Sequence, residues 1–394
     1  MSIVTNIVKN YDNFKNTGLL LWDLSAAFDT IDIDLLCQKL AIYGVTDRSV
    51  RWFKSFLLDR KQQVQVGRGI SGAVSSSRGC PQGYLLSPLL FLIYIADMKL
   101  WMEKSTLCGY ADDTSTSFGS SDEKEVIDVL EKDAKNLLTF MSSNSLAANP
   151  KKTCFLFFNR GKKCTPQSIT VGDEIIYESP YHNVLGLVLS NDLTWQNHVY
   201  VKDGIMPSIN RRVGALKRLS YHIPMKYLPK IAEATVASKI RYGIEIYGAI
   251  RSSSSDPQCS ITKDLQVSLN HAIATKSRIK DHVRIADLCD RTKIKSINHM
   301  SAESKLKMVW SALENDESAL NDIFTSDDCQ PSASSRSKAR GEFRLQANTT
   351  LSQKNVPNTA MKLWNAVGTT LKSCQKKSSA KREITKIVST FPIV

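Results

Sequence analysis

The chain has little of what marks a secreted, membrane-bound or zinc-stapled protein. Its nine cysteines, at positions 37, 80, 108, 154, 164, 259, 289, 329 and 374, include no C-x-x-C pair and no zinc-knuckle spacing. Scattered thiols of this kind are expected to stay reduced in an intracellular protein, nuclear or cytoplasmic. No apolar run approaches the ~20 residues that span a bilayer, and no signal peptide follows Met1. Neither secretion nor a membrane partner is therefore expected. Asn348-Thr349-Thr350 matches a glycosylation acceptor that means nothing without secretion. His271, His282 and His299 are too irregularly spaced for a metal site and read as core or surface histidines.

The first part of the chain also lacks a basic surplus. Residues 1–150 hold 15 Lys+Arg against 17 Asp+Glu, a net of −2, whereas the remaining 244 residues hold 37 against 21, a net of +16. Such a division suits a metal-binding N-terminal part followed by a phosphate-binding one. A merely soluble cationic protein would show the same surplus.

What is present centres on Tyr110-Ala111-Asp112-Asp113, two adjacent carboxylates between extended-type runs that read as a β-hairpin. A further carboxylate, Asp23, closes the apolar run Gly18-Leu19-Leu20-Leu21-Trp22, which reads as a buried strand. Two-metal phosphoryl transfer needs carboxylates from separate strands to hold two divalent ions about 4 Å apart. After Asp23, Asp32 is placed to cap a helix carrying Leu36, Leu40 and Tyr43, with Gly44 as its stop. Between the acidic centres lies Arg78-Gly79-Cys80-Pro81-Gln82-Gly83-Tyr84. Here glycines permit close backbone approach to a ligand, Pro81 stiffens the loop and Gln82 both donates and accepts. The Leu89–Ile95 run that follows reads as a buried helix. Ser120 and Glu123 form a capping-box pattern before a helix with Val126, Ile127, Leu130, Ala134, Leu137, Leu138 and Met141 on its apolar face.

These blocks resemble, in order, those of reverse transcriptases from LINE-type (non-LTR) retrotransposons. Asp23–Asp32 is similar to the first catalytic block, Arg78–Phe91 to the Pro-Gln-Gly loop, and Tyr110–Asp113 to the third. Leu146–Thr153 is similar to the Asn-x-x-Lys-Thr block, and Asn183–Leu189 with Leu193-Thr194-Trp195 and His198 to the primer-gripping hairpin. The resemblance covers roughly residues 5 to 250 and implies an α+β fold. By that resemblance an antiparallel sheet backed by helices would form a palm, followed by a helical thumb and a mostly helical C-terminal region. It further implies Mg²⁺, with Mn²⁺ possible, held by Asp23, the Leu24 carbonyl, Asp112 and Asp113. Lys152 would be the general acid. Phe28, Arg78, Pro81, Gln82, Gly83 and Tyr110 would contact the incoming deoxynucleoside triphosphate. RNA template and DNA primer would complete the partners. Ile33, Tyr84 and Trp22 depart from the family pattern, where His, Ser and a smaller aliphatic are usual.

Beyond the fifth block, Ile209–Leu219 reads as a basic amphipathic helix whose Arg211, Arg212, Lys217 and Arg218 suit a nucleic-acid backbone. Lys230–Ile250 reads as a second helix. The expected division is a palm over 1–200 with fingers largely missing, thumb-like helices over 201–250 and a helical region over 251–325. A mobile linker over 326–341 and a basic tail segment over 342–394 complete it. Leu265–Ile279 and Ser301–Ala312 are the clearest helical pieces, Thr359–Asn365 marks a last segment before the basic tail, and 251–257 reads as a linker. With 22 residues before Asp23, the chain is expected to be an N-terminally truncated copy and a poor polymerase. Two functions of different class follow: an RNA-directed DNA polymerase, or a non-catalytic nucleic-acid-binding remnant.

Overall fold

The computed structural model describes residues 2–159, 167–248, 257–274, 292–314, 356–367, 369–372, 374 and 377–390. Residues 251–256 of the linker expected over 251–257, the linker expected over 326–341, the Asn348–Thr350 acceptor, His282, Cys164, Cys289 and Cys329 lie outside those residues, as do 275–279 of the helix expected to Ile279, whereas Pro257 begins a helix. Two compact units are present, one of Phe14–Pro180 and one of Met1–Asn13 with Tyr181–Val394.

The Phe14–Pro180 unit is built on β1 (Asn16–Trp22), whose residues from Thr17 onward are all buried. A strand covered on both faces needs an unbroken apolar run, which Gly18–Trp22 supplies. β2 (Leu24–Ser25) continues it past Asp23. A ribbon follows, with β3 (Arg60–Gln62), β4 (Gln65–Val66), β5 (Gly69–Ile70) and β6 (Val74–Ser76). β7 (Thr106–Tyr110) and β8 (Asp113–Ser120) form the expected hairpin. β9 (Ala147–Ala148) pairs with β2, and β10 (Cys154–Phe158) completes a four-stranded antiparallel sheet in the order β10-β1-β8-β7. β11 (Ser168–Val171) and β12 (Glu174–Tyr177) make a separate hairpin. The fold is thus the α+β palm that the blocks imply.

Helix Glu123–Ser143 backs the sheet and buries Val126, Leu130, Ala134, Leu137, Phe140 and Met141. Each of these side chains larger than Ala134 contributes about 1.5–3 kcal/mol by burial. Its N-cap is Asp122, accepting from the Lys124 amide, and not Ser120 as the capping-box pattern suggested. The Ser120 hydroxyl instead meets the Glu125 carboxylate at 2.5 Å. Helix Ile33–Ile42 starts where expected, with the Asp32 carboxylate accepting from the Leu35 amide. Helix Ser87–Ile95 departs from expectation: Leu90, Phe91 and Tyr94 are buried, but Leu89 and Leu92 are exposed. A run apolar all round therefore covers the core with only one face.

Asp133 is the chief buried charge of this unit. Its carboxylate accepts from the backbone amides of Glu103 (2.8 Å), Lys104 (3.2 Å) and Ser105 (2.7 Å), anchoring the loop that enters β7. Burial alone would raise its pKa, but the hydrogen bonds from Ser105, Glu103 and Lys104 outweigh it and hold the carboxyl below its usual range. A lowered carboxylate contributes stability that is complete above its unfolded value of about 3.9 and is lost as pH falls through the folded value. Asp133→Asn is expected to cost about 2 kcal/mol at neutral pH, since amides tied to a charge would lose it. The deficit should shrink below pH ~4. Thermal melts of both proteins across that range test this, and a deficit independent of pH would assign the loss to packing.

The other unit begins its sheet portion with β13 (Tyr181–Val184) and β14 (Leu187–Ser190), a hairpin turned by Leu185 and Gly186 at φ 49 and 79°. Helices follow at Gln196–Tyr200 and Ile205–Leu219. The single helix expected over Lys230–Ile250 is interrupted. A π-helical turn spans Glu233–Ala237, the α-helix resumes at Ser238–Arg241, and Gly243 at φ 69° breaks it before Ile244–Tyr247. Helices Pro257–Ala274, Ile297–Glu314, Val356–Ala366 and Lys377–Ser389 follow. Among the described residues, no helix is long and apolar enough to cross a membrane.

Candidate active site

Asp23 leaves the end of β1 beside the β7–β8 hairpin. Trp22 lies opposite Thr114 in the β1–β8 register, so the next positions on the two neighbouring strands are Asp23 and Asp113. Adjacent strands run ~4.8 Å apart, which brings the acidic centres together although 89 residues separate Asp23 from Asp112 in sequence. The Trp22 indole donates to Thr116 Oγ1 at 3.1 Å and fastens β1 to β8 just below them. This gives the unusual Trp22 a structural role. Tyr110 pairs with Asp113, leaving Ala111-Asp112 as a two-residue turn. Ala111 sits at φ 54°, in the left-handed region. Such a conformation costs a non-glycine residue about 1–3 kcal/mol. Tyr110, Asp112 and Asp113 are exposed, and Asp23 is half-buried.

The fourth block is tied to the first. β2 pairs Leu24 with Ala148, and the Asn149 amide donates to the Asp23 carbonyl at 2.9 Å. The chain then turns through Asn149–Thr153, with the Lys152 amide on the Asn149 carbonyl at 3.0 Å. Lys152 Nζ thereby comes 3.4 Å from Asp23 Oδ2. Both side chains are substantially exposed, so the pair stabilises the fold by no more than about 1 kcal/mol. Its significance is placement: an ammonium stands at the carboxylate expected to hold a cation.

The second block docks on the first through backbone. The Gly79 amide donates to the Ile31 carbonyl and the Cys80 amide to the Phe28 carbonyl, both at 2.8 Å. Gly79 has φ 79°, and a Cβ there would lie 2.7 Å from Asp29 Cα and 2.8 Å from the Asp29 and Phe28 carbonyl oxygens. Close approach is indeed why glycine stands here, but the neighbour is the first block and not a ligand. Gln82 Nε2 donates to the Asp29 carboxylate, with its oxygens at 3.2 and 3.3 Å. Arg60 donates to the carbonyls of Leu57 (2.8 Å), Arg78 (3.0 Å) and Gly79 (2.5 Å). The Pro81 carbonyl accepts from Ser87 Oγ at 2.5 Å. Cys80 is buried, and burial raises its thiol to about 11, offset in part by Arg60, so it stays protonated and inert.

Phe28 is half-buried and stacks on Phe91 with ring centroids 4.6 Å apart. Arg78, Gln82 and Gly83 are exposed. Gly83 has φ 84° and open space where a Cβ would be. Tyr84 is exposed and meets Phe56 edge-on at 5.7 Å. Asp29 and Arg60 are site-building residues that sequence reading did not single out. Asp29 lay in view within the first block, whereas Arg60 serves only carbonyls that converge after folding.

The donor set of Asp23, Asp112, Asp113 and the Leu24 carbonyl is all oxygen, as hard divalent ions require. Among the described residues, no three His, Cys, Asp or Glu side chains converge as a metal cage. Mg²⁺ tolerates this, because it is ordinarily held by one or two carboxylates with waters and substrate phosphates. The donor chemistry and the Lys152 ammonium at Asp23 both fit a cation site of that open kind.

The nucleic-acid candidates lie in the other unit. Helix Ile205–Leu219 buries Ile205, Ile209, Val213 and Leu216 and exposes Arg211, Arg212, Lys217 and Arg218. Arg212 Nη1 also donates to the Thr235 carbonyl at 2.6 Å. His198 is buried, its Nδ1 accepting from the Val188 amide at 3.2 Å. Burial, with Lys239 adding to it, lowers its pKa to about 4, so it is a neutral element of the hairpin's support.

Residues 3–189 match the family described as reverse transcriptase (RNA-dependent DNA polymerase). A probable RNA-directed DNA polymerase from transposon X-element of Drosophila melanogaster is 24% identical over 257 residues, covering 62% of this chain and 27% of that protein. The RNA-directed DNA polymerase from mobile element jockey of Drosophila funebris is 23% identical over 256 residues, with the same 62% and 27% coverage. The chain thus spans about a quarter of the length of these relatives. A solved telomerase structure from Candida tropicalis, in complex with a TWJ fragment of telomeric RNA, is 13% identical, with TM-score 0.38 over 100% of this chain and 53% of that one.

Proposed function

We propose that this chain, whose residues 3–189 belong to the reverse transcriptase family of the non-LTR retrotransposon type, acts as an RNA-directed DNA polymerase. The observation that carries the reading is the position of Asp23, one residue past Trp22 and its β8 partner Thr114 and so level with Asp113 beside the Asp112 turn, with Lys152 Nζ 3.4 Å from its carboxylate. Asp23, Asp112 and the Leu24 carbonyl, with a weaker contribution from Asp113, would hold Mg²⁺, and Mn²⁺ suits the same oxygens. Such ions supply activation of the attacking oxygen and neutralisation of the leaving one.

The chain's own groups then orient and protonate. Lys152 holds a proton at Nζ and, released from Asp23, delivers it to the departing pyrophosphate. Arg78, Pro81, Gln82, Gly83 and Tyr110 form the exposed approach for the deoxynucleoside triphosphate, with Gln82 steadied by Asp29. Arg211, Arg212, Lys217 and Arg218 bind the backbone of an RNA–DNA duplex, recognising A-form shape and not sequence. Their affinity should fall steeply as salt rises.

Extension of oligo(dT) on poly(rA) with dTTP and Mg²⁺ tests the reading. Metal-dependent growth of the primer supports it, and hybrid binding with no extension in either Mg²⁺ or Mn²⁺ would reject it.

Sugar choice gives a sharper test. Phe28 holds the place where the family carries a bulky aromatic residue, and its ring is set by Phe91. Against the sugar of the incoming nucleotide it would leave no room for a 2′-hydroxyl. Phe28→Val is expected to raise ribonucleotide incorporation relative to deoxyribonucleotide by about tenfold, the scale on which a pocket discriminates small groups. Unchanged discrimination with activity retained would make Phe28 a packing residue only.

A further inference from the structure

We propose that helix Asp47–Leu57, together with Tyr84 at the end of the second block's loop, is a platform on which an unpaired stretch of single-stranded nucleic acid stacks. Arg48, Trp52 and Phe56 follow one another at intervals of four residues and so share one face of this helix. The Trp52 and Phe56 rings stack 2° from parallel with centroids 5.6 Å apart, and Phe53 meets Trp52 edge-on at 5.1 Å. Tyr84 continues the row, edge-on to Phe56 at 5.7 Å. Trp52 is nonetheless 53% exposed and Tyr84 57% exposed, so neither ring belongs to the core. Aromatic surface held in place yet open to solvent is what an unpaired base stacks on, whatever its identity. Rings already fixed by their neighbours also lose little freedom on binding.

Charge favours a nucleic acid over an apolar partner. Residues 47–78, this helix and the ribbon after it, hold seven Lys+Arg against two Asp+Glu, a net of +5. Residues 1–150 as a whole net −2, so the rest of that stretch nets −7 and the helix and ribbon form a basic island within it. Arg48, Arg51, Lys61 and Arg68 are all exposed, and among the described residues none of them is in an ion pair. The first turn of a helix favours acidic side chains, so helix stability does not explain an arginine at position 48. Arg48 and Arg51 are neighbours on the helix surface and can meet phosphates on either side of a base stacked on Trp52. Tyr84 follows directly on the loop whose Gln82 meets Asp29, so the row of rings leads toward the proposed nucleotide approach. That path rests on the polymerase reading, whereas the binding itself does not.

The test uses the full chain and fluorescence anisotropy without divalent metal, so a failure of polymerase chemistry leaves its outcome untouched. The probes are labelled eight-residue oligo(A) RNA, its abasic counterpart, and a blunt RNA–DNA hybrid with and without an eight-residue unpaired 5′ arm on the RNA strand. Trp52→Ala is expected to weaken oligo(A) binding about tenfold, with Trp52→Phe retaining most of the affinity and Tyr84→Ser acting in the same direction as Trp52→Ala. The abasic strand, which keeps the phosphates, should bind the parent chain about tenfold more weakly and be indifferent to Trp52→Ala. Arg48→Ala with Arg51→Ala should flatten the log–log salt slope for oligo(A) by about 1.4, the value for two phosphates on a single strand. Affinity for the blunt hybrid should change less than twofold in every variant. A gain from the unpaired arm that Trp52→Ala removes identifies the template as the source of the strand, and no gain assigns the platform to a separate strand. Equal affinity of the parent chain for oligo(A) and the abasic strand, an equal loss on the blunt hybrid, or displacement of oligo(A) by poly-glutamate as readily as by unlabelled oligo(A) would each overturn the proposal.

Discussion

Asp112→Asn is expected to reduce primer extension by about 10³-fold or more while leaving hybrid binding and thermal stability nearly unchanged. The rate estimate follows from charge. A divalent ion contributes several kcal/mol of transition-state stabilisation, and each 1.36 kcal/mol is tenfold in rate. An asparagine amide keeps the size of the carboxylate but removes the charge that holds the ion. The stability estimate follows from position, because Asp112 occupies an exposed two-residue turn rather than the sheet. Exposed substitutions of this kind usually stay within about 0.5 kcal/mol. Asp113→Asn should cost less in rate than Asp112→Asn, since Asp113 is the weaker ligand in the proposed site. Asp23→Asn should behave like Asp112→Asn, with one difference: it also removes the negative partner of Lys152. Steady-state extension with Mg²⁺, paired with anisotropy on the same hybrid, measures both quantities. An Asp112→Asn enzyme retaining a tenth of the parent rate would remove Asp112 from the metal site.

The parts of this site legible in the sequence are those whose cause is local. β1 had to be a buried strand because five consecutive apolar or glycine residues leave no polar face. The β7–β8 hairpin followed from two extended-type runs bracketing two acidic residues. What the sequence did not reveal are partnerships made after folding. Arg60 has no pattern around it, yet it gathers three carbonyls from the end of one helix and from the second block. Asp122 competes with Ser120 for the same helix start, and the shorter reach to the Lys124 amide prevails at the N-cap. Helix Ser87–Ile95 is less buried than its apolar sequence implies, because hydropathy reports what a residue tolerates and not what covers it. Its Leu89 and Leu92 remain half-exposed. Past Lys230 the periodicity remained helical, but Gly243 at positive φ broke the element where composition alone suggested continuity.

Gly79→Ala is expected to undo the join between the first two catalytic blocks. A methyl at this position meets backbone atoms, Asp29 Cα at 2.7 Å and two carbonyl oxygens at 2.8 Å, which cannot rotate away as a side chain would. The left-handed conformation at φ 79° adds a strain of about 1–2 kcal/mol for an L-residue. Relief requires the Arg78–Gly83 loop to lift from Phe28–Ile31, breaking the bonds that the Gly79 and Cys80 amides donate there. Together these should cost about 3 kcal/mol locally. Gln82 would then lose its seat on Asp29. A misplacement on the order of 1 Å in such a loop lowers kcat/KM by about 10²-fold. Gly83→Ala is the internal control: it too has positive φ, at 84°, but its Cβ would enter open space. Its cost should be conformational strain alone, about 1 kcal/mol, with little effect on extension. Amide exchange at Cys80 separates the cases, because protection there reports the docked loop directly. Loss of that protection in Gly79→Ala, but not in Gly83→Ala, is the expected outcome. Equal behaviour of the two variants would show that the blocks are joined elsewhere.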